Sequence, residues 1–328
     1  MKMHFALPLV VAGMLSAAGA GIAASDDPYA KFKPNFQQLP AIPPIPANNT
    51  QTPEKVELGK MLYFDARLSA AGTIACATCH NPALGFTDRI PRAIGHGAQR
   101  GPRNSPTVLN AAFLTSQFWD GRAPDLEAQA LGPLQAGIEH GTTLDKAVAT
   151  LKSFPEYQKR FADVFGGKDP VTAENLAKAI AAFERTLITP NSPFDRYLAG
   201  DEQAVTTQQK RGMKAFVEKG CVACHSGPNF TNGGFYKITV PGSTDEGRYT
   251  VTKKEEDKHA FRVQTLRNVA LTYPYFNNGS VANLDEAVKI MGKEMLKTEL
   301  TKQEVGDLVA FLHSLTGEMP KFAIPALP

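Results

Sequence analysis

The chain has 328 residues, 43% hydrophobic and 20% charged, which excludes a wholly disordered chain or a collagen-like fibre. Its 35 Lys and Arg against 32 Asp and Glu leave a formal charge of +3, too balanced for a nucleic-acid binder. The length suits two domains.

Residues 1–24 read as a secretory signal. Lys2 supplies the positive start, the stretch from Ala6 to Ala24 carries no charge, and small residues place cleavage after Ala20 or Ala24. No other apolar stretch is long enough for a membrane span, so an exported chain without a span after cleavage is expected. Pro40, Pro43, Pro44 and Pro46 make the segment from Pro34 to Pro53 an extended lead-in. Thr52 then caps a helix opened by Pro53 and continued through Leu58 to Phe64.

An exported chain would ordinarily pair its four cysteines as disulfides. Here they stand as Cys76-Ala77-Thr78-Cys79-His80 and Cys221-Val222-Ala223-Cys224-His225, two copies of the C-x-x-C-H attachment site for c-type haem. Two thiols one helical turn apart add to the two vinyl groups of the haem, and the adjacent imidazole reaches the iron. Two covalent haems follow, with His80 and His225 as proximal ligands.

Each motif is preceded by a helical segment, Leu58–Phe64 and Lys210–Phe216, and followed by an amphipathic helix, Ala173–Leu187 and Lys302–Leu315. Pro190 and Pro193 mark the junction. A short strand is expected over Phe235–Val240, and nothing else alternates with period two. The predicted fold is mainly α: two cytochrome c-like helical domains, each with one covalently attached haem, plus long loops. Their bounds are 25–189, including the Pro-rich lead-in, and 190–318, with 319–328 as a tail that can pack back on the first domain.

Between the motifs lie Gly95-His96-Gly97, the run Gly101 to Asn110, Phe118-Trp119-Asp120-Gly121-Arg122, Glu127 to Ala130, and Ile138-Glu139-His140. So much polar, Gly-rich sequence beside a haem suits an enzyme with an open iron position better than a plain carrier. From the residues alone, Trp119 is a core residue beside Phe118. Met291 falls in the core stripe Leu284, Ala287, Val288, Met291, and Glu139 with Gln129 is a solvated pair at a helix end. His259, in the charged run from Lys253, reads as solvated, and His313 and Met295 are weaker ligand candidates.

These stretches, with Phe261 to Asn268, Thr272 to Gly279 and Leu284 to Met291, resemble the bacterial di-haem cytochrome c peroxidases over nearly everything after the signal. The resemblance implies a peroxidatic N-terminal haem and a C-terminal haem that stores and relays electrons. It puts the acid/base glutamate at Glu139 and its companion amide at Gln129. Trp119 becomes an aromatic relay between the haems, and Met291 the axial ligand opposite His225. His96 becomes a loop ligand that caps the peroxidatic iron in the oxidised enzyme. Asn104, Thr272 and Pro274 fall where the family binds one calcium ion between its domains. The implied activity is periplasmic reduction of hydrogen peroxide with electrons from a small cytochrome c or copper protein, and a homodimer is compatible with it.

Three positions depart from the pattern: Asn277 replaces a frequent His, His140 follows Glu139 where Met is common, and Gln264 replaces a frequent Pro. Two other functions remain in view. One is a di-haem enzyme oxidising a protein substrate, whose relatives carry Tyr where this chain has Met291; the other is a non-catalytic di-haem carrier.

Overall fold

A computed structural model describes Met1 and residues 27–328. Apart from Met1, the signal expected over 1–24 lies outside the described residues. Among them no helix is long and apolar enough to cross a membrane.

The first half is built from α1 (Pro53–Phe64), α2 (Cys76–Cys79), α3 (Leu126–Gln135), α4 (Leu144–Lys152), α5 (Pro155–Phe165) and α6 (Ala173–Glu184). Thr52 caps α1 by accepting the Lys55 N–H, as its sequence predicts. Leu58, Leu62, Leu151, Tyr157, Phe161, Leu176 and Ile180 fill a shared core. The crossing of α1 and α6 is close because α1 carries a glycine there: a Cβ on Gly59 would lie 1.8 Å from the Ala179 carbonyl oxygen.

The second half holds α7 (Pro193–Leu198), α8 (Thr207–Glu218), β1 (Phe235–Lys237), α9 (Tyr249–Thr252), β2 (Ala260–Arg262), α10 (Leu284–Leu296) and α11 (Lys302–His313). β1 and β2 pair antiparallel, Phe235 opposite Arg262. The strand is shorter than the expected Phe235–Val240 because β2 offers it only three partners. Here too a glycine sets the main helix crossing, with a Cβ on Gly212 of α8 falling 1.9 Å from the Asp307 carbonyl oxygen of α11. The fully buried Arg267 locks this half through a two-pronged ion pair with Asp195, at 2.8 and 2.9 Å.

The halves are versions of one frame. A single fixed spacing relates Asn110 to Asn268, Phe118 to Phe276, Gly121 to Gly279, and the start of α3 at Leu126 to that of α10 at Leu284. Both Asn residues have left-handed backbones, as do both Phe residues at φ 68°. The Asn110 N–H donates to Leu187 O at 2.8 Å and the Asn268 N–H to Leu315 O at 3.2 Å. Matching bridges join Gln117 to Ala123 and Tyr275 to Val281. The same spacing sets Trp119 against Asn277, Gln129 against Ala287 and Pro133 against Met291.

The chain ends cross over. Phe32 and Phe36 sit in the second core beside Phe194, Phe216 and Phe311, although chain order assigns them to the first domain. A short helical turn, Ala30–Asn35, presents them and includes Pro34, where the sequence predicts extended chain. Aromatic rings go where apolar partners are, which chain order does not reveal. At the other end Phe322 packs edge-on to Phe183 at 5.4 Å and against Phe64 at 6.1 Å.

Candidate haem centres and active site

Both C-x-x-C-H motifs fold into one tight turn. The His80 N–H donates to Cys76 O at 2.9 Å and the His225 N–H to Cys221 O at 3.0 Å, which sets each imidazole one turn from its first thiol. All four cysteines are free. Burial pushes the Cys79 thiol up to about 12 and Cys221 to about 11, and raises Cys76 further.

The second centre is a cavity of about 260 Å³ with mostly apolar walls. Cys221, Cys224, His225 and Met291 all line it. His225 places Nδ1 3.2 Å from Phe230 O, which orients the ring and leaves Nε2 for the iron. Burial depresses its pKa to about 4, so the imidazole is neutral, as a ligand must be. Two thiols, an oriented imidazole and a thioether on one cavity fit a c-type haem. Met295 also lines the cavity, while His313 is exposed; His259 is exposed too, its Nδ1 2.9 Å from Asp245 O.

At the first centre, the Tyr63 hydroxyl donates to His80 O at 2.8 Å and fixes the motif from beneath. Burial lowers the His80 pKa, and its Nδ1 is buried without a hydrogen-bond partner. No α3 residue matches Met291, since Pro133 holds that position and has no ligand atom. Instead the turn after α3 meets the 95–98 loop. The His96 N–H donates to Glu139 O at 2.8 Å. A Cβ on Gly95 would strike Ile138 O, and one on Gly141 would come within 2.8 Å of the His96 ring. Sequence points to His96 and Glu139 separately; the fold puts them on touching segments. His96 Nδ1 is buried and unpartnered, and Gly97 and Ala98 are both left-handed.

Glu139 is half-buried, and desolvation raises its carboxyl pKa against the opposing charge of Arg122. Gln129 is half-buried on α3. His140 is 3% exposed and places Nδ1 3.3 Å from Leu68 O, so this departure acts as a pin holding the turn to the 68–70 loop.

Trp119 lines the second cavity, donates its indole N–H to Asn104 O at 2.9 Å and meets Phe261 edge-on at 6.5 Å. Its neighbour Phe118 packs on Gly132 of α3, with the Arg122 guanidinium 3.5 Å above the ring. Asn104, Thr272 and Pro274 line the second cavity. Among the described residues no group of three or more His, Cys, Asp or Glu could hold a metal ion. Asn277 donates to Ser243 at 3.1 Å and Asp245 at 3.2 Å and leaves its Oδ1 buried and unpartnered. Gln264 accepts from Arg262 at 3.1 Å.

Three residues carry no clear mark in the sequence. Arg122 faces Glu139, Arg262 lines the second cavity, and Glu184 is a buried carboxyl whose pKa burial pushes up to about 8. The last has one signal: a carboxylate closing the apolar run Ala179 to Phe183.

The fold and its motifs define a tandem c-type haem protein whose two centres are unlike. Comparison with known proteins narrows the class. Residues 53–203 match the family of di-haem cytochrome c peroxidases and residues 209–316 match cytochrome c. The chain is 45% identical to cytochrome c551 peroxidase of Pseudomonas aeruginosa, covering 99% of this chain and 93% of the relative. It is 40% identical to the methylamine utilization protein MauG of Methylorubrum extorquens, covering 95% and 92%. A solved MauG-like protein associated with microbial copper homeostasis superposes with TM-score 0.78 at 29% identity, over 87% of this chain and 95% of that one. The chain belongs to the di-haem cytochrome c peroxidase family and is a di-haem peroxidase with two c-type haems.

Proposed function

We propose that this enzyme works in the periplasm, reducing hydrogen peroxide to two waters with two protons and two electrons from a small cytochrome c or copper protein. The observation that carries the reading is the contact between the His96 loop and the Glu139 turn on a first centre that α3 leaves without a ligand. The compartment follows from the signal sequence and the haem-attachment motifs. A weak, transient donor encounter is expected.

When bound, the haem at Cys76, Cys79 and His80 supplies the iron that takes peroxide, and the haem at Cys221, Cys224 and His225 stores an electron. Glu139 takes the proton from the near oxygen of peroxide and returns it to the leaving oxygen, a role favoured by the burial that raises its pKa. Gln129 donates a hydrogen bond to the bound substrate. Met291 would ligate the second haem's iron, and a thioether ligand there would raise its potential. Trp119, held at both its ring and its indole N–H, is the rigid path between the centres. His96 would be the side chain that caps the first haem's iron, and its Gly-flanked loop, with Gly97 and Ala98 left-handed, lets the imidazole move away. Asn104, Thr272 and Pro274 hold a calcium ion at the domain boundary.

The test is peroxide consumption by half-reduced holoenzyme, followed by the spectrum of each haem. An enzyme consumes peroxide and reoxidises the second haem. A carrier leaves both spectra unchanged, which would overturn the proposal.

A further inference from the structure

A haem brings two carboxylates into its site, on the propionate edge. A carboxylate buried away from water costs several kcal/mol unless a cation and hydrogen bonds compensate it. The second cavity holds one such cation. Of the charged side chains among the described residues, only Arg262 lines it.

Arg262 is 3% exposed. Its guanidinium donates to Phe118 O at 3.2 Å, Val263 O at 3.3 Å and the Gln264 amide oxygen at 3.1 Å, all neutral acceptors. The other buried arginines are satisfied differently: Arg267 forks onto Asp195, and Arg185 donates to both oxygens of Glu127. Burial without a carboxylate also pulls the Arg262 pKa down to about 10. A guanidinium so placed is a preorganised fork for a carboxylate.

Resting on the reading that this cavity takes the Met291-ligated haem, we propose that Arg262 binds a propionate of that haem and, by keeping it ionised and neutralised, holds the haem's potential high. The nearby Asn277 cannot assist, because its amide N–H donors go to Ser243 and Asp245, and its free Oδ1 repels an anion. The backbone of Arg262 also joins the relay, its N–H donating to Trp119 O at 2.9 Å. Arg262 is thus a positioning residue, acting on the stored electron through the propionate.

The test uses full-length holoenzyme carrying Arg262→Gln or Arg262→Lys, with both midpoint potentials read by spectroelectrochemical titration at several pH values. Arg262→Gln should lower the second haem's potential by at least a tenfold change in its reduction equilibrium, ~59 mV for one electron. The shifted potential should also fall as pH rises, because the unpaired propionate now takes up a proton on reduction. The first haem's potential should stay in place, and Arg262→Lys should keep the parent's high potential. An unchanged potential in Arg262→Gln, or an equal shift in both haems, overturns the proposal. Infrared redox-difference spectra of the unmodified holoenzyme, with carboxyl-labelled haem, test it without a variant: a propionate that gains a proton on reduction overturns it, and one that stays ionised supports it. If the unmodified second haem shows no methionine ligation, the reading of the cavity fails and the proposal with it. Methionine ligation with an unshifted potential sinks the proposal alone.

Discussion

The two halves use one frame to opposite ends. In each, a helix carrying a glycine crosses the last helix of its domain at backbone contact, Gly59 on Ala179 and Gly212 on Asp307. In each, a left-handed Asn and a left-handed Phe lead into the helix that covers the haem site. On that helix the second half presents Met291 where the first presents Pro133. The second cavity is therefore lined by a thioether from its α10 helix. In the first, the matching position on α3 has no ligand atom, and the turn after α3, with its half-buried Glu139, meets the Gly-rich 95–98 loop.

The sharpest break in the comparison is Glu139→Gln. It should keep both haems and their proximal ligands while lowering peroxide turnover by about 10²–10⁴-fold, measured in steady state with haem content as the control. Because burial raises the Glu139 pKa, the acid limb of kcat/KM should lie above the ordinary glutamate value of ~4.3, and it should vanish in the variant.

On the other side, Met291→His should keep six ligands at the second haem and lower its potential. Each ~59 mV lost costs tenfold in the equilibrium that loads it. A potential that stays put would make Met291 a core residue and remove the contrast with Pro133.

Smaller effects test the shared frame. Gly59→Ala and Gly212→Ala should each destabilise their own domain by about 1–3 kcal/mol in chemical unfolding, through the same backbone clash. A cost at one crossing alone would mean the two are not equivalent.

The smallest effect concerns Glu184, which has no counterpart in the second half, where the matching helix carries Leu312. The folded chain keeps the Glu184 proton up to about pH 8, while the unfolded chain releases it near the ordinary glutamate value, ~4.3. Stability therefore falls as pH rises between those values. Glu184→Gln should remove that loss, a gain in stability that is largest at the upper end and absent below the lower one. Unfolding midpoints across pH read it directly.

Much of this is legible in the sequence because the chemistry demands fixed local spacing. The C-x-x-C-H motifs, the Thr52 cap and the stripe ending at Met291 each lie within a few residues, and each stands where the spacing puts it. What escapes depends on distant partners. Phe32 and Phe36 reach the second core across most of the chain. Whether Glu139 is solvated depends on the His96 loop, distant in sequence. Arg262 stands in the sequence only within the stretch Phe261 to Asn268, until the cavity it lines proves free of any other charged side chain. His140 is visible in the sequence only as a departure beside Glu139, and its role as a pin needs the position of Leu68 O.

A division of labour between an openable first centre and a methionine-closed second one is tested by a redox titration of the unmodified holoenzyme, with visible and spin-state spectra and peroxide turnover recorded at each poise. The fully oxidised protein should be six-coordinate at both haems and nearly inactive. One electron per chain should enter the Met291-ligated haem, turn the first haem high-spin and switch turnover on in proportion. A first haem already high-spin and fully active in the oxidised protein would contradict the gate. Turnover indifferent to the reduction of the second haem would contradict the division itself.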